Sequence, residues 1–287
     1  MLHPSTLQLL RLPFSLFLAP VFLFALSESE TINWPAAILV AAILHLLVYP
    51  ASNGYNSYMD RDETPIGGLS SPMQPTLQLF RLTVAMDLLA IMLGFFISRW
   101  FAAGIILYIM ASRAYSFRGI RLKKYPLIAY LTVILFQGAV TFALVRHGCT
   151  VNMPLAQPAL PLIAASLLIG GFYPLTQVYQ HEADRLDGVR SISMRLGYRG
   201  TFLFCASVHI FAFACIGMHY MHGNRTADLA VFAVAMSPAL LYFLTWAKAV
   251  WADTSAADFS HAMHMNKVGA ACSSTAFIVM IIMKQFE

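Results

Sequence analysis

Apolar stretches of about 20 residues recur along nearly the whole chain, and a stretch of that length crosses the hydrocarbon core of a bilayer as an α-helix. Inside lipid every backbone N–H and C=O must find its partner within the protein, so such a sequence folds as a helical bundle. Nine spans are expected, near residues 12–28, 35–55, 77–98, 100–116, 126–146, 158–179, 201–221, 227–247 and 264–284. Composition agrees: of 287 residues 59% are hydrophobic and 11% charged, about half the charged share of an ordinary soluble domain. The expected architecture is all-α, nine transmembrane helices around a central cavity, in one domain covering residues 1–287. The first stretch has no small-residue cleavage site before polar sequence and reads as a span rather than a cleaved signal peptide.

The basic residues set an orientation. With nine spans, every Lys and Arg except Arg99, Arg146, Arg225 and Lys284 falls on the side of the N-terminus. The positive-inside rule makes that side cytoplasmic, the inner face of the inner membrane in a bacterium. The net charge of +5 is thereby a topology signal and calls for no nucleic-acid partner. Cys149, Cys205, Cys215 and Cys272 form no CxxC pair and no metal-ligand spacing. Nothing in the chain calls for an obligate protein partner.

Two polar stretches end expected spans 2 and 6 on the cytoplasmic side. They are "YPASNGYNSYMDRDE" (Tyr49 to Glu63) and, 124 residues later, "YPLTQVYQHEADRLD" (Tyr173 to Asp187). In register, Tyr49-Pro50 falls on Tyr173-Pro174, Tyr55 on Tyr179 and Asp60-Arg61 on Asp184-Arg185, while Asn53 meets Gln177, Asn56 meets Gln180 and Glu63 meets Asp187. Asn53, Asn56, Asp60 and Glu63 stand at i, i+3, i+7 and i+10, as do Gln177, Gln180, Asp184 and Asp187. At about 100° per residue these positions share an arc of roughly 80° on a helix. Asp62 falls opposite that arc and is expected to be a solvated surface acid.

Six of the 13 acids sit in these two stretches, and ionisable groups at membrane depth mark function. Carboxylate and amide oxygens are hard ligands suited to Mg²⁺ that keeps several waters and bridges to phosphate. The expected metal ligands are Asn56, Asp60 and Glu63 on one helix end and Gln180, Asp184 and Asp187 on the other, one ion on Asp60/Glu63 and a second on Asp184/Asp187. The loop "ASRAYSFRGIRLKKYP" (Ala111 to Pro126) lies on the same side. Its Arg121, Lys123 and Lys124 are expected to pair with a diphosphate, together with Asn53, Gln177 and Arg190. Tyr179 and its neighbouring aromatics offer ring faces to a cation in a dry cavity. Asp60, Asp184, Lys123, Arg121 and Tyr179 are the residues expected at the chemistry itself.

This arrangement resembles the UbiA superfamily of intramembrane prenyltransferases, whose members have nine transmembrane helices and aspartate-rich motifs after helices 2 and 6. Asn56 and Asp60 match the Asn and middle Asp of the first motif, while Ser57 and Thr64 stand where further Asp residues are common. Asp184, Arg185 and Gly188 match the second, with Gln180 in place of its first Asp. "RSISMRLG" and "YSFRGIRLKKYP" are similar to two further runs of the family. The resemblance implies an isoprenyl diphosphate bound through Mg²⁺, ionised, and its prenyl group passed to a hydrophobic, often aromatic acceptor, in contact with membrane lipid. Some superfamily members cyclise the prenyl cation without an acceptor, a reading the altered motifs keep open. A transporter, the reading of another class, builds its site at mid-membrane from broken helices, whereas these stripes end at the membrane face.

Overall fold

A computed structural model describes residues 2–286, and among these it is all-helical, with isolated bridges in place of sheet. Nine helices account for the expected spans: α1 (Pro4–Ser27), α2 (Trp34–Asp60), α3 (Leu77–Ile97), α4 (Arg99–Ser116), α5 (Pro126–Cys149), α6 (Ala159–Leu186), α7 (Ile192–His222), α8 (Thr226–Ala252) and α9 (Phe259–Met283). Eight of them are long and apolar enough to cross a membrane. The chain is an integral, multi-pass membrane protein. The remaining helix, α4, carries Arg99 and Arg113 within 18 residues and is less apolar. It turns back on α3 at Ser98, where Gly94 leaves room for the Ala102 backbone.

Local signals start and stop these helices. Side-chain oxygens of Asn33, Ser98, Ser191 and Asp258 accept from N–H groups at the starts of α2, α4, α7 and α9, satisfying donors that have no partner within the helix. Arg61, with φ 56°, ends α2 in a left-handed cap whose N–H donates to the Ser57 carbonyl.

The helices that face the centre are wound irregularly. Arg11 (φ 49°) breaks α1, Ile43–Val48 of α2 and Leu135–Val140 of α5 are π-helical, and Tyr173–Gln180 of α6 is a 3₁₀ helix. Pro50 and Pro174 both stand where the winding changes, since proline cannot donate to the preceding turn. Such breaks at membrane depth are tolerated where helices line a cavity. The core is aromatic: Phe24 stacks on Phe277 at 4.7 Å and meets Phe142 at 5.1 Å.

At the end of the bundle away from the two motifs, the buried carboxylate of Glu28 ties α1 to the turn between α7 and α8. It accepts from His219 Nε2 at 2.6 Å and from Arg225 at 2.8 and 3.0 Å, and the Glu28 carbonyl accepts from Arg146 Nε at 3.2 Å. Removing one member of a buried ion pair costs about 3–5 kcal/mol, because the partner charge is left uncompensated. Arg225 keeps Asp228 at 2.5 Å, so Glu28→Ala is expected at the lower end, about 3 kcal/mol. Thermal unfolding in detergent measures it, with activity below the transition unchanged.

Candidate active site

A cavity of about 310 Å³ opens among α1, α2, α4, α5, α6 and α9, a size typical of small-molecule sites. Its mouth is polar, lined by Asn53, Asn56, Asp60 and Asp62 from the first motif, Gln177, Tyr179, Gln180 and Asp184 from the second, and Lys123 from the basic loop. Deeper in, Phe17, Phe136, Leu168, Ile169 and Phe172 make an apolar shaft. The two stripes that match in sequence thus meet across one opening.

At the mouth the Asp60 side chain exposes 4% of its surface. Lys123 Nζ is 2.6 Å from its Oδ1, Arg121 lies 3.8 Å from the same oxygen, and Asn56 Nδ2 donates to its Oδ2 at 2.7 Å and to Ser116 Oγ at 3.0 Å. The carboxylates of Asp62 and Asp184 have no hydrogen bond or ion pair, although Lys123 is the strongest charged neighbour of Asp184. Gln177 Oε1 accepts from the Ser193 N–H at 3.4 Å, and Gln180 donates to the Pro65 carbonyl at 3.5 Å. Tyr179 stands edge-on to Phe259 with ring centroids 5.2 Å apart. On α6 the 3₁₀ winding superposes Gln177 and Gln180, three residues apart, on one face.

Several expectations are corrected. The helical arc of the first motif does not reach Glu63: α2 ends at Asp60, the left-handed Arg61 reverses the chain, and Glu63 is exposed and outside the cavity lining. The same reversal brings Asp62, expected at the surface, into the mouth. Asp187 is turned away to Arg121, which donates to both its carboxylate and its carbonyl. Arg121, itself buried, is outside the cavity lining and bridges the two acidic helix ends, Asp60 and Asp187. Lys124 is exposed, because the short 3₁₀ turn Leu122–Lys124 points Lys123 inward in its place. Arg190 also points outward: around it Val189 and Ser191 line the cavity, and side chains alternate where the chain is extended.

Further residues complete the site, of which Arg11, Phe14 and Tyr115 are not singled out from sequence. Arg11, buried in the break of α1, lines the cavity and donates to the carbonyls of Gly67 (3.2 Å) and Asn53 (3.1 Å). An isolated arginine beside the first apolar stretch was the available signal. Arg11 and Phe14 hold the loop after α2 over the mouth. A Cβ on Gly67 would stand 2.5 Å from the Phe14 ring, and the Gly68 N–H donates to Met263 Sδ at 3.3 Å. Tyr115 and Tyr173 line the wall with hydroxyls 2.5 Å apart. Gln137 and Asn266 also line the cavity, whereas His209 packs against Phe172 and Asp87 pairs with Arg113.

Oxygen donors dominate the mouth, three of them carboxylates. Among the described residues no three His, Cys, Asp or Glu side chains already converge as a closed metal cage. Mg²⁺ is commonly held through one or two carboxylates and completes its octahedron with water and phosphate oxygens. Asp62 lies in the loop beyond α2, and burial, reinforced by the neighbouring Asp60 charge, pushes its pKa up to about 6. A cation beside it would relieve both effects.

The family model described as the UbiA prenyltransferase family matches residues 15–268. No curated protein matches the sequence. Among solved structures, a UbiA homologue from Archaeoglobus fulgidus bound to DMAPP and Mg²⁺ superposes with a TM-score of 0.71 at 17% identity, covering 97% of this chain and 99% of the other. The same homologue bound to GPP and Mg²⁺ gives 0.70 at 18%, covering 97% and 99%. A UbiA homologue from Aeropyrum pernix K1 in its apo state gives 0.68 at 18%, covering 95% and 98%. At these identities the likeness is one of fold.

Proposed function

Because the chain belongs to the UbiA prenyltransferase family, we propose that it ionises an isoprenyl diphosphate at the Asp60–Asp184 mouth and transfers the prenyl group to a hydrophobic, aromatic acceptor, with Mg²⁺ as cofactor. The observation that carries this reading is the pairing of an oxygen-rich, cation-bearing mouth with an apolar shaft in one cavity. A diphosphate and an isoprenoid tail need those two environments joined end to end. The homologue structures bound to GPP or DMAPP with Mg²⁺ support the same substrate class.

Bound Mg²⁺ would supply positive charge to the leaving diphosphate, held by carboxylates of the mouth. The chain's own residues do the rest. Lys123 Nζ sits where it can donate to a diphosphate oxygen, and Arg11 lines the same opening from the opposite helix. When the allylic C–O bond breaks, the electron pair leaves with the diphosphate and the cation remains at the top of the shaft. There Tyr179, Tyr115 and Tyr173 line the wall, and aromatic faces stabilise a cation in a water-poor site. A nucleophilic carbon of the acceptor then bonds to the prenyl carbon and loses a proton. The positive-inside pattern supports a site on the cytoplasmic side, and the reading needs no obligate protein partner.

Two expected results test it. Purified protein in nanodiscs, given prenyl diphosphates of several chain lengths with a membrane lipid extract, should yield prenylated lipid by mass spectrometry. A cyclic hydrocarbon or alcohol formed without extract would replace transfer by cyclisation. Uptake into proteoliposomes with no product would replace both by transport. Second, protons compete with Mg²⁺ for Asp62. Because its pKa is raised to about 6, the Mg²⁺ concentration for half-maximal turnover should climb as pH falls through 6. It should stay flat above that value, where the carboxylate is already ionised.

A further inference from the structure

The shaft below the mouth is not apolar all round. Phe17 of α1 and Leu168, Ile169 and Phe172 of α6 form one part of its lining. Another part is a polar stripe on α4, Ser116, Ser112 and Tyr108, spaced four residues apart and so on one face of the helix. Each step descends about 6 Å. Asn56 of α2 donates to Ser116 Oγ at 3.0 Å, and one turn lower Ser52 of α2 meets Ser112, Oγ to Oγ, at 2.6 Å. At the foot the Gln137 side chain of α5, also in the lining, reaches the Tyr108 hydroxyl. Gln137 sits in the π-helical turn Leu135–Val140, and such turns are frequent at functional sites. The stripe holds hydrogen-bonding groups that the protein does not use. Two serine hydroxyls share one hydrogen, so either Ser52 or Ser112 keeps an O–H free, and among the described residues the Ser116 O–H has no acceptor. With its N–H directed to the Tyr108 oxygen, Gln137 keeps its carbonyl oxygen and Tyr108 its O–H. By contrast Thr132, Thr176 and Ser273, elsewhere in the lining, donate to carbonyls of their own helices. No charge accompanies the stripe: Lys123 and Arg11 stand at the mouth, and Arg113, next to Ser112, is turned to Asp87.

We propose that this stripe is the acceptor subsite, and that it takes an uncharged ring carrying hydroxyl oxygens, a phenol or hydroquinone. The inference rests on the prenyl diphosphate reading and names its second substrate. A ring hydroxyl both donates and accepts, which the paired Gln137 carbonyl and Tyr108 O–H match. A second oxygen, para to the first, reaches one helical turn higher, to the Ser52–Ser112 pair. The ring then stands below the diphosphate, with a carbon beside its upper oxygen facing the allylic carbon. The isoprenoid tail keeps the apolar side chains of α1 and α6. Ring oxygens enrich the carbons beside them in electrons, so the ring is nucleophilic where the prenyl cation forms. The ring carbon gives the electron pair of the new C–C bond. The diphosphate leaves with the pair of the broken C–O bond and takes up the ring proton. A carboxylate or phosphate on the acceptor would be buried beside the stripe without a counter-charge, at a cost that excludes it.

Acceptor kinetics test this. Purified protein in nanodiscs with Mg²⁺ and a reductant is given geranyl, farnesyl or geranylgeranyl diphosphate and one of three probes of the same outline. These are 1,4-dihydroxynaphthalene, its oxygen-free counterpart 1,4-dimethylnaphthalene, and the anion 4-hydroxy-1-naphthoate. The diol should be prenylated with kcat/KM about 10²-fold or more above either of the others. Tyr108→Phe and Gln137→Leu should each raise the KM for the diol about tenfold, with the KM for the prenyl diphosphate unchanged, a split that a misfolded chain cannot give. Comparable turnover of the dimethyl probe, preference for the naphthoate, or an unchanged diol KM in either variant would each overturn the assignment. So would diphosphate release with a membrane lipid extract but with none of the three probes. Diphosphate released without any acceptor, or from no mixture at all, would instead overturn the transfer reading beneath it, and shows in the wild-type chain before any variant is compared.

Discussion

Asp184→Asn is expected to leave a folded protein whose turnover of prenyl diphosphate falls about 10³-fold. Asn keeps the shape of the side chain and removes its charge, so the loss isolates electrostatics from packing. Asp184 accepts no hydrogen bond through its carboxylate in the structure and lines the mouth opposite the first motif. Its loss therefore breaks no internal contact, and its cost falls on the ligand. A 10³-fold loss corresponds to about 4 kcal/mol of transition-state stabilisation, the size expected when one fixed group facing a developing charge is removed. Saturating Mg²⁺ should recover part of it, since Asp184 is one of the mouth carboxylates that would hold the ion. Circular dichroism and the melting temperature should match wild type, and steady-state release of diphosphate reads the effect.

The second large effect is a contrast between neighbours. Asp62→Asn should lower activity by about 10–100-fold through weakened metal binding, while Glu63→Gln should leave it unchanged. The two acids are adjacent, yet the left-handed Arg61 places one in the mouth and the other in solvent. Helical spacing alone predicts the reverse, since it puts Glu63 on the arc with Asp60 and Asp62 opposite. Measuring both variants under limiting and saturating Mg²⁺ decides between the two geometries. In Asp62→Asn the loss should shrink at saturating Mg²⁺.

That contrast also shows where the sequence was readable. The long apolar stretches define the bundle because lipid leaves few alternatives, and nine helices stand where nine spans are expected among the described residues. The matched stretches place Asn53, Asn56 and Asp60 opposite Gln177, Gln180 and Asp184, since residues within a helix share a face whatever its surroundings. The rule fails one residue past the helix end. Nothing in "MDRDE" marks Arg61 as the cap, because left-handed arginine is uncommon and no glycine stands there. Asp187 and Arg121 were hidden for a different reason: their pairing joins α6 to a loop 66 positions away, and long-range partners leave no periodic trace. Arg11 was hidden by charge counting, which used it as a topology signal and so did not ask where its side chain goes.

The central claim is that the paired motifs hold a prenyl diphosphate for Mg²⁺-dependent ionisation. Its most direct test is diphosphate release by the purified wild-type protein in nanodiscs, supplied with prenyl diphosphates of increasing chain length, in Mg²⁺ and again after chelation with EDTA. The account predicts release in Mg²⁺, near-complete loss in EDTA, and recovery when Mg²⁺ is returned. No release at any chain length in Mg²⁺, or equal release in EDTA, would contradict it.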